Sequence, residues 1–355
     1  MIITDLKWRE MEPVSKVKFK IALRENAKTS SLLLKIETDE GISGYGEASP
    51  FEPVTGDNIE DIKAFFEKIK PELIGKNPLA IEKIHRIMNR FIVGKTAGKA
   101  AIDFALYDIL GKKTGMPLYM LLGGNSNTVQ SDMTIGIDTP DEMAKLAKKY
   151  VNEGFNILKI KVGLNYEEDL EAIRKIREAV GDKISIRLDA NQGYDKKQTI
   201  NVMREMEKYS VEEIEQPIPC WDFDGMKFIK DRITQELMMD ESVHSPNDAH
   251  RAVKEEACDV INIKLMKAGG IFPALQINAV AQAAGIKCMI GCMSETRVGI
   301  AAGAALAAAK KNIVYADLDS YRMIEELEYV SGGYTQEGDI ITLTEKPGLG
   351  LEIDF

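Results

Sequence analysis

The rhythm of apolar and polar positions changes part-way along the chain, and the change divides it in two. Apolar–polar patterning over residues 16–24 and 31–37 predicts strands, Asp39-Glu40-Gly41 reads as a turn, and Ile42 to Ala48 resumes as a partner strand. Helical periodicity follows over residues 58–73, 79–92 and 97–113. Residues 1–115 thus read as an α+β unit, an antiparallel sheet followed by helices.

From residue 130 onward, short β-rich runs alternate with helical stretches. The predicted strands are Ser131–Ile137, Ile157–Val162, Ile184–Asp189, Ser210–Glu215, Glu236–Asp240, Val260–Lys264, Lys287–Gly291 and Ile313–Asp317. Helical patterns such as Asp169–Val180 and Lys196–Lys208 lie between them. This repetition predicts an α/β fold: a (β/α) barrel over residues 116–319, with residues 1–115 as an N-terminal α+β capping domain. No GxGxxG or P-loop occurs, so a nucleotide-binding sheet lacks its fingerprint. The tail, Ile340 to Phe355, reads as a final strand with a Lys346-Pro347-Gly348-Leu349-Gly350 turn, and the segment 320–355 is expected to complete the first domain.

Composition removes several classes of partner. With 46 Lys and Arg against 56 Asp and Glu, the net charge of −10 argues against a binder of nucleic-acid phosphates. The most apolar stretch, Val298 to Ala309, is too short and too rich in Ala and Gly to span a bilayer. Cys220, Cys258, Cys288 and Cys292 form no CxxC pair and read as free thiols of a reducing compartment. The N-terminus has no apolar secretory core, so a cytoplasmic location is expected.

Polar residues recur where the apolar strands end. Lys161, Asp189, Glu215, Asp240 and Lys264 follow one another at intervals of 28, 26, 25 and 24 residues, the length of one barrel unit. Each therefore falls at the C-terminal end of a successive strand, the face on which barrel enzymes build their sites. An Asp after a strand is most often a helix N-cap, but capping does not account for three carboxylates in register flanked by Lys. Hard oxygen ligands without His or Cys suit Mg²⁺ rather than Zn²⁺, and His85, His244 and His250 lack metal-ligand spacing. Lys161 and Lys264 would lie on the second and sixth strands, across the bore, each facing one side of a bound substrate. In Lys159-Ile160-Lys161 the two lysines share a strand face, and repulsion from Lys159 would lower the pKa of Lys161. Asp317-Leu318-Asp319 directs two acids to one side at the end of the eighth strand, suited to a substrate ammonium.

Six segments together resemble the muconate-lactonising subgroup of the enolase superfamily. They are Lys159 to Gly163, Asp189-Ala190-Asn191-Gln192-Gly193, Glu215-Gln216-Pro217, Asp240-Glu241-Ser242, Ile263-Lys264 with Lys267 to Gly270, and Met293-Ser294-Glu295-Thr296. The resemblance extends to Gly44-Tyr45-Gly46-Glu47-Ala48 and to Pro117 through Gly124, and so covers nearly the whole chain. The Asp317-x-Asp319 pair narrows it to the dipeptide epimerases. Enolase-superfamily sites in general pair a Lys base with Mg²⁺ that stabilises an enediolate.

The resemblance implies one Mg²⁺ per subunit on Asp189, Glu215 and Asp240, holding the C-terminal carboxylate of a dipeptide. It implies that Lys161 and Lys264 exchange the α-proton on opposite faces, with Lys159 tuning Lys161. Asp317 and Asp319 would hold the N-terminal ammonium, and Thr134, Ser294 and Glu295 would contact substrate. Arg24 matches an Arg that pairs with the substrate's glutamate side chain in Ala-Glu epimerases, whereas Ser294 replaces a bulkier apolar residue and opens space for a larger first residue. Loops near residues 15–28 and 50–56 would meet the side chains, and Pro50, Phe51 and Pro53 favour an apolar one. The expected substrate is therefore L-Ala-L-Glu or a hydrophobic dipeptide, and a homo-oligomer fits the resemblance. An o-succinylbenzoate synthase or cycloisomerase shares the lysines and acids but gives the Asp317-x-Asp319 pair no ammonium to hold. A Schiff-base aldolase leaves the carboxylates idle, and a silent dipeptide binder leaves both bases idle.

Overall fold

The antiparallel sheet begins earlier than its sequence pattern suggests. In the computed structural model, which describes residues 1–17, 20–25 and 30–355 and gives backbone alone for 24 and 25, the first strand is β1 (Ile3–Met11). A register shift between Ile3 and Asp5 breaks its alternation, so the buried positions are Ile3, Leu6 and Met11. That irregular spacing hides the strand from a period-two reading. The strand expected over 16–24 is replaced, within the described residues, by a short hairpin of β2 (Lys20–Ile21) and β3 (Arg24–Glu25). The central strand β4 (Ser31–Thr38) pairs with β1 on one side and with β5 (Ser43–Ala48) on the other.

The helices α1 (Glu52–Thr55), α2 (Ile59–Leu73), α3 (Ile81–Phe91), α4 (Thr96–Thr114) and α5 (Leu118–Leu122) follow. The expected loop at 50–56 thus contains a helical turn. Helix α4 lies directly on β5; a β-carbon at Gly46 would strike the Ala101 carbonyl, so the close approach requires glycine there.

After β6 (Thr128–Gln130), eight parallel strands follow in unbroken neighbour order: β7 (Met133–Ile135), β8 (Ile157–Lys161), β9 (Ser185–Asp189), β10 (Val211–Glu215), β11 (Glu236–Met239), β12 (Val260–Lys264), β13 (Lys287–Gly291) and β14 (Ile313–Asp317). The ring is nearly closed: Asp132 N–H donates to the Ala316 carbonyl at 3.0 Å, and Leu318 N–H to Ser131 Oγ at 2.9 Å. Between strands run α6 (Pro140–Asn152), α7 (Tyr166–Val180), α8 (Lys196–Met206), α9 (Phe223–Lys230), α10 (Pro246–Lys254), α11 (Leu265–Ala268), α12 (Ile271–Ala283) and α13 (Arg297–Ala309). The chain continues through α14 (Ser320–Met323), β15 (Val330–Gly332), β16 (Tyr334–Glu337), β17 (Ile340–Leu343) and β18 (Leu351–Ile353).

Strand β17 pairs with β6, and Asp339 binds the backbone at Ser131 and Asn156, so this hairpin lies across the N-terminal end of the barrel. The C-terminal end of the chain returns to the first domain: Arg9 donates to the Asp354 carbonyl at 2.8 Å, and Phe355 packs on Tyr45. All four cysteines are free, and among the described residues no helix is long and apolar enough to cross a membrane.

Two buried carboxylates of the first domain cap barrel helices. Glu47 accepts from Thr296 N–H at 2.9 Å, Thr296 Oγ1 at 2.7 Å and Gly299 N–H at 2.9 Å, at the start of α13. Asp103 accepts from Ile271 N–H at 2.6 Å and Phe272 N–H at 3.2 Å, at the start of α12, while His85 Nε2 stands 2.6 Å from it. Both acids sit where the helix dipole favours negative charge, and they clamp the two domains together. Glu47→Ala strands these donors in a dry interface, so it is expected to lower stability by about 3 kcal/mol. Urea denaturation should show a lower midpoint at unchanged slope; an unchanged midpoint would contradict the clamp.

Candidate active site

Strand alternation points every second side chain of the barrel into the bore, and parallel register brings neighbours level. Lys161 pairs with Asp189 and Asp189 with Glu215; on the other side Lys264 pairs with Gly291 and Gly291 with Asp317. Gly291 makes room, since a β-carbon there would sit 2.6 Å from Asn262 Oδ1 and 3.1 Å from Lys264 Cε. Asp240 follows directly after β11. The bore side chains at this end are buried even though most are charged.

The three carboxylates share one pattern: one oxygen is anchored and the other presented to the lysines. Asp189 Oδ1 accepts from Asn191 N–H at 3.0 Å, while Oδ2 lies 2.5 Å from Lys161 Nζ and 3.1 Å from Lys159 Nζ. Glu215 Oε1 accepts from Asn262 Nδ2 at 2.7 Å; Oε2 lies 2.7 Å from Lys159 Nζ but has no hydrogen bond among the described residues. Asp240 Oδ1 accepts from Lys267 Nζ at 2.5 Å and Oδ2 from Lys264 Nζ at 2.8 Å. Lys267 Nζ also donates to the Asp240 carbonyl. Anchoring one oxygen fixes the carboxylate plane and leaves the other for a ligand.

The electrostatics mark a site short of positive charge. Burial, then the neighbouring Asp189 carboxylate, pushes the Glu215 carboxyl up to about 7. Burial alone would raise Asp240 too, but Lys264 and Lys267 hold it well below the usual carboxylate range. Burial alone would lower Lys264, but Asp240 and Glu215 raise it above the usual ammonium range. The donor set fits Mg²⁺: buried hard oxygens, one on each residue held in place, and a carboxylate oxygen with no hydrogen bond. The three carboxylates are not drawn within 4.8 Å of one another; the lysine ammonium groups lie against their presented oxygens instead.

Lys159 adds a feature the strand pattern did not show. Its ammonium lies 2.8 Å from Asp317 Oδ2 as well as against Asp189 and Glu215, and these acids raise its pKa despite burial. It shares Asp189 Oδ2 with Lys161, so a carboxylate lies between the two charges expected to repel each other. In this arrangement the nearest partners of Lys159 are acids, not Lys161.

Asp317 and Asp319 do converge. Thr134 N–H donates to Asp319 Oδ2 at 2.6 Å and Thr134 Oγ1 to Asp317 Oδ1 at 3.4 Å. Cys292 joins them, its Sγ and one oxygen of each acid all lying within 4.8 Å of one another. Burial would raise Asp317, but Lys159 and Lys161 hold it well below the usual range; burial and then Asp317 push Asp319 up to about 7. Ser294 is exposed, and its carbonyl accepts from Ser49 Oγ of the first domain at 2.9 Å. The Glu295 carboxylate turns into its own loop, accepting from Met293 N–H at 2.9 Å and packing against Gly299. The Arg24 side chain lies outside the described residues, as do residues 18, 19 and 26–28 of the loop expected over 15–28.

Lys267 and Asn262 lie outside the regular spacing that marks the other site residues. Asn262 stands two residues before Lys264 on an inward-facing strand position, which could have drawn it into the set. Lys267 sits on a short helix beyond the strand, and no spacing rule marks it.

The eight-stranded barrel, its cap and the ring of acids and lysines define a class, and the chain belongs to it: the enolase superfamily. Residues 3–123 match the mandelate racemase/muconate lactonizing enzyme N-terminal domain, and residues 142–355 match the enolase C-terminal domain-like family. The chain is 44% identical over 342 residues to the hydrophobic dipeptide epimerase of Enterococcus faecalis, covering 95% of this chain and 97% of that one. It is 41% identical over 355 residues to the L-Ala-D/L-Glu epimerase of Clostridium acetobutylicum, covering 99% of each. The crystal structure of the Enterococcus faecalis V583 dipeptide epimerase complexed with Mg and L-Leu-L-Tyr superposes with a TM-score of 0.97, at 44% identity over 99% of this chain and 100% of that one.

Proposed function

We propose that this chain is a magnesium-dependent dipeptide epimerase that inverts the α-carbon of the C-terminal residue of L-Xaa-L-Xaa dipeptides by proton transfer between two lysines. One observation carries the reading. Lys161 and Lys264 stand on β8 and β12, four places apart in a ring of eight strands, each against a carboxylate of the same buried set. A planar carbanion held between them meets one Nζ on each face. One lysine takes the α-proton at Nζ and the other returns a proton from the opposite side, so configuration inverts without the substrate turning over.

Asp189, Glu215 and Asp240 would hold the Mg²⁺ through their presented oxygens. Bound there, the ion supplies Lewis-acid stabilisation of the charge that develops on the substrate carboxylate when the α-proton leaves. Asp317 and Asp319 would take the free ammonium, which is why dipeptides suit the site better than substrates without an amino group. Within that class we favour hydrophobic dipeptides over L-Ala-L-Glu. The small exposed Ser294 leaves room for a first side chain larger than Ala, and Phe51 supplies a half-buried ring from the cap. The four free thiols fit a reducing cytoplasm.

Incubating dipeptide libraries with enzyme and Mg²⁺ in D₂O tests reaction and specificity together. The expected result is a one-mass-unit gain on L-Leu-L-Tyr-like dipeptides with formation of the L,D isomer. No exchange on any dipeptide would sink the assignment.

Asp319→Asn is expected to lower kcat/KM for free dipeptides by about 100-fold, as loss of one partner of a buried charge pair does, and to spare N-acetyl dipeptides. The wild-type pH profile should also carry this group. Below about 7 Asp319 is protonated and neutral, so kcat/KM should rise with pH through about 7 until the substrate amine itself loses its proton. At saturating Mg²⁺, which keeps Glu215 ionised, that acidic limb should be absent from the variant; its persistence there would remove Asp319 from the ammonium site.

A further inference from the structure

Among the described residues, two buried acceptors beside the carboxylate set have no donor. Asn191 Oδ1 and Glu241 Oε2 lack a hydrogen-bond partner, and each residue is only 5% exposed. The two side chains meet: Asn191 Nδ2 donates to Glu241 Oε1 at 3.3 Å across 50 residues of sequence. Asn191 follows β9 and Glu241 follows β11, so they flank β10, whose last residue is Glu215. The Asn191 backbone is in the left-handed region, at φ 39°, and its N–H donates to Asp189 Oδ1 at 3.0 Å. Glu241 is the residue after Asp240. Each thus stands next to an acid of the carboxylate set without being one of the three that meet the lysines.

The donors nearby are committed elsewhere. Lys264 binds Asp240, Lys267 binds Asp240 and the Asn262 carbonyl, and Asn262 Nδ2 binds Glu215. A substrate carboxylate brings no proton and so satisfies neither acceptor. Water on Mg²⁺ is different: the ion gives up its waters reluctantly and polarises those it keeps into strong donors. We propose that Asn191 and Glu241 are positioning residues that accept hydrogen bonds from water retained on the metal. The inference rests on the metal site proposed above. It assigns the polar side between β9 and β11 to water and leaves the lysine side to the substrate carboxylate.

The test is direct metal binding, measured without turnover. Calorimetry with Mg²⁺ should show Glu241→Gln and Asn191→Ala each weakening affinity by about 10-fold or more, the usual cost of losing a partner that orients a metal's ligands. Water-proton relaxation with Mn²⁺ as the probe should count the same number of bound waters in both variants as in the wild type. Unchanged Mg²⁺ affinity in the two folded variants overturns the proposal. An added water on Mn²⁺ in Glu241→Gln also overturns it, because Glu241 would then be a direct ligand. Asn191→Ala leaves every charge in place, so it carries the test if Glu241→Gln does not fold. Asp240→Asn serves as the control: if it binds Mg²⁺ as the wild type does, the metal site itself is wrong, whatever the other variants do.

Discussion

Lys161→Met and Lys264→Met are each expected to abolish epimerisation, by about a thousandfold or more, while each keeps α-proton exchange with D₂O for one antipode only. The expectation follows from placement. Each Nζ is held on its own side of the carboxylate set, Lys161 by Asp189 and Lys264 by Asp240, so neither can reach both faces of one bound substrate. Removing one lysine leaves a single base that can exchange a proton on its own face and cannot complete the inversion. The two variants should therefore divide the L,L and L,D isomers between them. NMR of the α-proton in D₂O, run on each isomer with each variant, reads this directly. A variant that still interconverts the isomers, or exchanges both, would replace two bases with one. The acids bear on when these lysines act. Asp240 and Glu215 keep Lys264 protonated against the effect of burial, so the lysine is readier to act as a base once those oxygens are engaged elsewhere.

Asp240→Asn is expected to damage both the fold and the metal site. Asp240 is the only carboxylate that binds Lys264 and Lys267 among the ion pairs of the described residues, and all three groups are buried. The substitution leaves two ammonium groups against a neutral amide, which costs about 3–5 kcal/mol when a buried pair is broken on one side. Mg²⁺ affinity should fall by more than about 100-fold, since an amide oxygen is a far weaker ligand than a carboxylate. Chemical denaturation measures the first effect and calorimetry the second. Adding Lys267→Met should recover part of the lost stability by removing one uncompensated charge, a coupling that a double-mutant cycle reads. Strictly additive losses would mean that Lys267 and Asp240 do not act as a unit.

Much of this site is local in origin and therefore legible in the chain. A strand alternates its faces and a barrel unit has a nearly fixed length, so intervals of 24–28 residues place Lys161, Asp189, Glu215, Asp240 and Lys264 at one end of one bore. Period two alone likewise puts Asp317 and Asp319 on one side, and both bond to Thr134. The first strand escaped for an equally local reason: the irregularity after Ile3 leaves Ile3, Leu6 and Met11 at unequal spacing.

What the sequence determined by itself is the repeat and the residue types it carries to the mouth of the barrel. Only the tertiary structure decided how those charges are matched. Lys267 anchors Asp240 across 27 residues, Asn262 anchors Glu215 across 47, and Asn191 meets Glu241 across 50. Glu47 reaches Thr296 across 249 residues to bind the cap to the barrel. Such contacts depend on the closure of the sheet and the docking of two domains, and no period in the chain records them. The same closure puts Lys159 among Asp189, Glu215 and Asp317, where the strand pattern alone sets it beside Lys161 on one strand face.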